Sequence, residues 1–130
     1  MSETSKNVTY LIRSPLSLRD YNRHGIDEWK NRGWNVRVFD FTKILNQKFW
    51  NYVEGDQLTQ PFSGLTVFET AKEAINEIEK IESNSVFVDL LGKNFFELKC
   101  KALAKQKGKT IQLYLGYNPG IGVAQTLSKN

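Results

Sequence analysis

The chain has 130 residues, 40% of them hydrophobic and 12% aromatic, with a formal net charge of +4. That length suits one domain with an ordinary core, and the apolar content excludes a disordered chain, which lacks the surface to offset ordering entropy. A single cysteine, Cys100, excludes an internal disulfide and fits a reducing, cytoplasmic setting. The first seven residues are polar, with no apolar core of the kind a signal peptide needs, and read as a disordered tail. No run is long enough to cross a bilayer, so any membrane association is expected to be peripheral.

Val8 to Ile12 is a β-prone run that stops at Arg13-Ser14-Pro15, where proline removes a backbone donor and biases Ser14 to extended backbone. Ser17 then opens a helix, its hydroxyl placed to accept from the Asp20 N–H. Leu18, Tyr21, Gly25, Ile26 and Trp29 share one face of that helix, which runs to Gly33. Trp34 to Phe41 is the second strand. Thr42 is a candidate cap for a helix from Lys43 to Val53, closed by Gly55, and a turn-rich loop from Glu54 to Ser63 follows. Leu65 to Glu69 is a short strand expected near a sheet edge. Thr70 and Glu73 then form a capping box before a helix whose inner face carries Ala71, Ala74, Ile75 and Ile78.

Ser85 to Leu91 has no polar face apart from Asp89, as expected for a parallel strand covered on both sides. Asn94 and Glu97 give another capping pattern, and Phe96, Cys100, Leu103 and Lys107 line one side of a helix ending at Gly108. Thr110 to Leu115 is the fifth strand. Residues 8–120 therefore read as one α/β domain, a three-layer doubly wound, Rossmann-like, five-stranded parallel sheet, with 121–130 a tail or linker. The expected strand order is 3-2-1-4-5, with 2-1-3-4-5 as the competing topology. In the first order the loops after strands 1 and 4 meet at the switch point, bringing Arg13 to Arg19 near Leu91 to Asn94, with Tyr117 and Asn118 flanking them.

Several chemistries lack their motifs. The first strand-to-helix turn holds no glycine, so no dinucleotide cofactor is expected, and no phosphate-cradling loop with a G-x-x-x-x-G-K-[ST] pattern occurs. His24 is the only histidine and no carboxylate cluster has ligand spacing, so no metal site is expected. Two readings compete for His24: a satisfied surface histidine near Asp20 and Asp27, or a titrating group with a catalytic role. Arg13, Arg19 and Arg23 converge on the start of the first helix, where an anion would be favoured, or else Arg19 and Arg23 are simply solvated. Asp89 must be paired or at an open edge, since burying a lone carboxylate is costly. It is either a strut to the first loop or a ligand contact. The lysines from Lys93 to Lys109 read as a solvated face, and nucleic acid is not expected as a partner.

At Pro15-Leu16-Ser17-Leu18-Arg19-Asp20-Tyr21-Asn22-Arg23-His24-Gly25-Ile26, and again at Val36 to Thr42, the chain resembles the amino-terminal Rossmann-like domain of bacterial surface-polysaccharide glycosyltransferases of GT-B architecture. The resemblance implies an acceptor-side domain in an enzyme that moves a sugar from a nucleotide donor during capsule or lipopolysaccharide assembly. Donor binding would then belong to a second domain or partner chain, and this chain would be inactive alone. Within that reading, Arg13, Ser14, Ser17, Arg19 and Arg23, with Asp89, Lys93, Asn94, Tyr117 and Asn118, are the residues expected to hold a nucleotide sugar or glycan acceptor. Asp20 and His24 are the candidate bases. The alternative is a non-catalytic α/β module whose exposed aromatics, such as Trp50 and Tyr52, dock a partner.

Overall fold

The computed structural model describes residues 6–56 and 63–112. Five strands, β1 (Asn7–Ile12), β2 (Asn35–Asp40), β3 (Leu65–Val67), β4 (Ser85–Asp89) and β5 (Gly108–Gln112), form one sheet in the order β3-β2-β1-β4-β5, with every pair parallel. This is the doubly wound order expected from the sequence. β1 lies at the centre because it is apolar on both faces: Val8, Thr9, Tyr10, Leu11 and Ile12 are all buried.

Helices cover both faces. On one, α1 (Leu18–Arg23) and α2 (Ile26–Asn31) pack Tyr21, Ile26 and Trp29 against Val8, Tyr10, Ile12, Val36, Val38 and Val88. On the other, α5 (Ala71–Glu79) and α6 (Phe95–Lys107) bring Ala74, Ile78, Cys100 and Ala104 onto Leu11, Phe39 and Phe87, joined by Ile44 and Leu45 of α3 (Thr42–Leu45). Among the described residues no helix is long and apolar enough to cross a membrane.

The structure divides the helix expected from Ser17 to Gly33. Gly25 sits in the left-handed region at φ +69°, so the chain turns there and restarts as α2. Helical periodicity runs unbroken through the turn, which is why the pattern suggested one helix. Leu18, assigned to the packed face, is 57% exposed. The next helix also divides. Asn46 ends α3 in non-helical backbone, and its side chain accepts from the Phe49 N–H at 3.0 Å to begin α4 (Gln47–Asp56). Thr42 is not the cap: it lies inside α3, and Asp40 at the end of β2 accepts from both its N–H and its hydroxyl. Gly55 lies within α4 instead of closing it.

Trp50, offered as an exposed docking aromatic, is buried at 8% exposure under the Lys43 ammonium, whereas Tyr52 is exposed. The edge strand β3 ends at Val67, two residues short of Glu69. β4 ends at Asp89 because its carboxylate accepts from the Leu91 N–H at 2.8 Å, turning the chain out of the sheet. β5 begins at Gly108, directly after α6, where a Cβ would lie 1.8 Å from the Ser85 carbonyl oxygen. Only glycine admits so close an approach of the two strands. The rest of the expected fifth strand, Leu113 to Leu115, and the 121–130 tail lie outside the described residues.

Candidate functional site: the switch point between β1 and β4

Strand order reverses between β1 and β4, so the loops leaving their carboxyl ends diverge to opposite faces, the place where open α/β sheets carry their ligand crevice. The Leu90 N–H donates to the Leu11 carbonyl at 3.0 Å and holds the two strand ends together at its floor. Above that bond, Arg13 follows β1 and Gly92-Lys93-Asn94 lead into α6.

Three local devices build this place. Ser17 accepts from the Asp20 N–H at 3.1 Å and starts α1 as expected. Asn94 and Glu97 form a reciprocal capping box: the Asn94 side chain accepts from the Glu97 N–H at 2.8 Å, and Glu97 Oε1 accepts from the Asn94 N–H at 3.3 Å. The second Glu97 oxygen then reaches across the crevice, accepting from Arg13 Nε at 2.9 Å and from the Gly92 N–H at 2.8 Å. Glu97 is fully buried and sits in the first turn of a 13-residue helix, where the helix dipole favours a negative charge. Gly92 lies close under the pair: a Cβ there would lie 2.9 Å from Glu97 Oε1 and 3.2 Å from the Arg13 guanidinium carbon, so a side chain would push the two ends of the pair.

Among the described residues Arg13 is held by one nitrogen, Nε. Its side chain is 53% exposed, and neither Nη atom has a hydrogen-bond partner among the described residues. A guanidinium pinned through Nε presents its remaining donors as a planar fork, the geometry that matches a carboxylate or phosphate. Lys93 is exposed beside it, also without a partner among the described residues, and Ser14 is exposed on the opposite lip.

Asp89 is neither a strut to the first loop nor an open ligand group. It is 2% exposed; one oxygen accepts from the Leu91 N–H and the other lies 3.6 Å from the Lys101 ammonium on α6. Lys101, grouped in the sequence with solvated lysines, therefore turns inward, its side chain 13% exposed, to balance that buried charge. The structure brings Arg13, Asn94 and Lys93 to one place and puts Asp89 just beneath them in a structural role.

The α1 candidates make their contacts within α1 or beneath it. Arg19 is exposed, and Arg23 stands 4.0 Å from Asp20 across one helical turn. His24 caps the far end of α1 and packs its ring on Tyr10, with centroids 5.1 Å apart. The Tyr10 hydroxyl donates to the His24 carbonyl at 2.6 Å and accepts from Trp29 Nε1 at 2.8 Å. Burial pushes the His24 pKa below its ordinary value, with Asp20 opposing and Arg23 reinforcing that shift. His24 thus belongs to the packing under α1 and α2, on the sheet face and not at its carboxyl edge. Tyr117 and Asn118 lie outside the described residues.

Sequence reasoning missed two partners. Glu97 was legible as a cap but not as the carboxylate that anchors Arg13, and Lys101 was not legible as the counter-ion of Asp89. Asp40, buried at the end of β2, has its pKa raised by burial, against the two hydrogen bonds from Thr42, and its Oδ2 has no hydrogen-bond partner among the described residues. Among the described residues no three His, Cys, Asp or Glu side chains gather closely enough to hold a metal ion. The fold and this crevice define a Rossmann-like α/β domain. Comparison with known protein families, with curated proteins and with solved structures returns no match, so the site's own geometry carries the functional argument.

Proposed function

We propose that this chain is a ligand-holding α/β domain that offers Arg13 at the switch point to an anionic group, and that it acts as the acceptor-side domain of a GT-B glycosyltransferase in bacterial polysaccharide assembly. The observation that carries the reading is the half-exposed Arg13 guanidinium, held through Nε by buried Glu97, with neither Nη atom hydrogen-bonded among the described residues. A group fixed in this way loses little side-chain entropy on meeting an acceptor phosphate or carboxylate. Lys93 would add a mobile charge, and Ser14 a hydroxyl for a sugar. Asp20 lies 4.0 Å from Arg23 and His24 packs on Tyr10, so in this reading catalysis falls to a second domain and the chain binds without turning over.

A thermal-shift titration with nucleotide sugars, free nucleotides and phosphorylated oligosaccharides tests this. Saturable stabilisation of about 2.7 kcal/mol at one hundred times Kd is expected in the wild type and absent from Arg13→Ala. Stabilisation that survives in Arg13→Ala, or none with any of these ligands, overturns the reading.

One observation favours the alternative, a protein-interaction module. Phe95 is 94% exposed and Leu98, one turn along α6, is 48% exposed, an apolar pair suited to a partner surface. Loss of a partner's binding on Phe95→Ser, with no ligand response at Arg13, would select it.

A further inference from the structure

The outer face of α6 differs from that of the helix beside it. α5 and α6 pack next to each other on one face of the sheet, each burying one side in the same core. α5 exposes Lys72, Glu73, Asn76 and Glu79, a polar surface of mixed sign and an ordinary solvated face. α6 exposes Phe95, Leu98 and Ala102 together with Lys99, Lys105 and Gln106. Phe95 is 94% exposed and Leu98 48%, so α6 is apolar on its outer side as well as its inner one.

Spacing gathers these residues into a stripe. At about 100° per residue, positions 95, 98 and 102 fall within an arc of about 60°, with the three- and four-residue steps by which one helix receives another. Lys105 lies just beyond Leu98 on one side of that arc, and Lys99 beyond Phe95 on the other. Ala102, small and central, admits a close approach between two larger side chains.

The charge on the stripe decides what covers it. Glu97 is the only carboxylate in α6, and it is buried under Arg13 and the Gly92 amide. Lys101 turns inward to Asp89, whereas Lys99 and Lys105 are exposed and form no ion pair among the described residues. The outer face of α6 is therefore apolar along its middle and positive along both margins. A second copy of α6 would set lysines against lysines, which disfavours self-pairing. A flat anionic bilayer would also meet α5, where Glu73 and Glu79 oppose it. A single helix with acidic margins fits the stripe without either penalty.

We propose that the outer face of α6 docks an acidic amphipathic helix of a partner chain. The partner's apolar side chains pack around Phe95 and Leu98 and over Ala102, and its carboxylates meet Lys99 and Lys105. This rests on the reading of Phe95 and Leu98 as a partner surface and does not depend on a ligand at Arg13.

Fluorescence anisotropy with two designed helical peptides tests it, each of about three heptads with leucine along the apolar stripe, one margined by glutamate and the other by lysine. Saturable binding of the glutamate peptide is expected, at least about tenfold tighter than the lysine peptide and weakened by salt. Phe95→Ser, on a side chain almost wholly in solvent, should abolish it. Lys99→Glu combined with Lys105→Glu, both on exposed positions, should reverse the preference. Equal binding of the two peptides, no binding of either up to about 1 mM, or an unchanged preference in the double lysine variant overturns the proposal. So does self-association of the chain, or its binding to phosphatidylglycerol vesicles, that Phe95→Ser abolishes. A wild-type preference for the lysine peptide would keep the partner surface and refute its acidic partner. No phosphate ligand is present in the assay, so either result leaves the Arg13 titration to be judged separately.

Discussion

Glu97 joins both sides of the switch point, and its removal should be costly in a way that can be apportioned. Its side chain is 1% exposed and accepts from Arg13 Nε, the Gly92 N–H and, at a longer distance, the Asn94 N–H. Hydrogen bonds to a charged group contribute about 1.5–3 kcal/mol each, but Arg13 is half-exposed and regains water when the carboxylate goes. Glu97→Ala should therefore cost about 3–4 kcal/mol, chiefly from the Gly92 amide and the emptied volume. Glu97→Gln keeps the shape but has one accepting oxygen in place of two, and should cost about 1–2 kcal/mol. Arg13→Ala leaves Glu97 its two amide donors, so the coupling in the Arg13/Glu97 double-mutant cycle should be about 1 kcal/mol, well below the 3–5 kcal/mol of a fully buried pair. Urea unfolding followed by circular dichroism measures all five proteins, wild type included. A Glu97→Ala cost under about 1 kcal/mol, or a coupling indistinguishable from zero, would refute the strut.

Four further outcomes follow from single residues. Gly108→Ala places a Cβ against the Ser85 carbonyl and should cost about 3 kcal/mol or more, read as lost urea resistance. Burial, with the Glu97 and Asp89 charges, pushes the Cys100 thiol up to about 12, so a thiol reagent at pH 8 should label it only after unfolding. Burial raises the Asp40 pKa, so folding favours its protonated form: that contribution is present at pH values below its ordinary pKa near 3.8 and is lost as pH rises through the folded value. Asp40→Asn should thus melt higher than wild type at pH 7, with the difference fading towards pH 3. His24 is shifted the other way, so folding favours the neutral ring, and wild type should lose stability as pH falls through 6.5 while His24→Gln should not show that step.

What the sequence made legible was local. Ser17, Thr70 and Asn94 cap their helices through bonds to residues three positions on, and a three-residue pattern is enough to see them. The burial of β4 could be read because a strand with no polar face apart from Asp89 must be covered on both sides. The breaks at Gly25 and Asn46 were hidden because the apolar period continues across them, and only backbone conformation distinguishes a turn from another helical residue. Trp50 looked exposed because nothing nearby in sequence shows the burial of its ring. The pair that organises the candidate site was illegible for a different reason: Arg13 and Glu97 are 84 residues apart, and their meeting depends on the strand order itself. Lys101 and Asp89 meet for the same reason, through α6 folding back along β4.

The central claim is that Arg13 receives an anionic ligand at the switch point. Its most direct test is a 15N NMR titration following the Arg13 Nε–H and the Gly92 amide with a phosphorylated oligosaccharide and with a nucleotide sugar. Saturable shifts of both signals are the predicted result. Saturable binding that leaves the Arg13 and Gly92 signals unmoved would contradict the account.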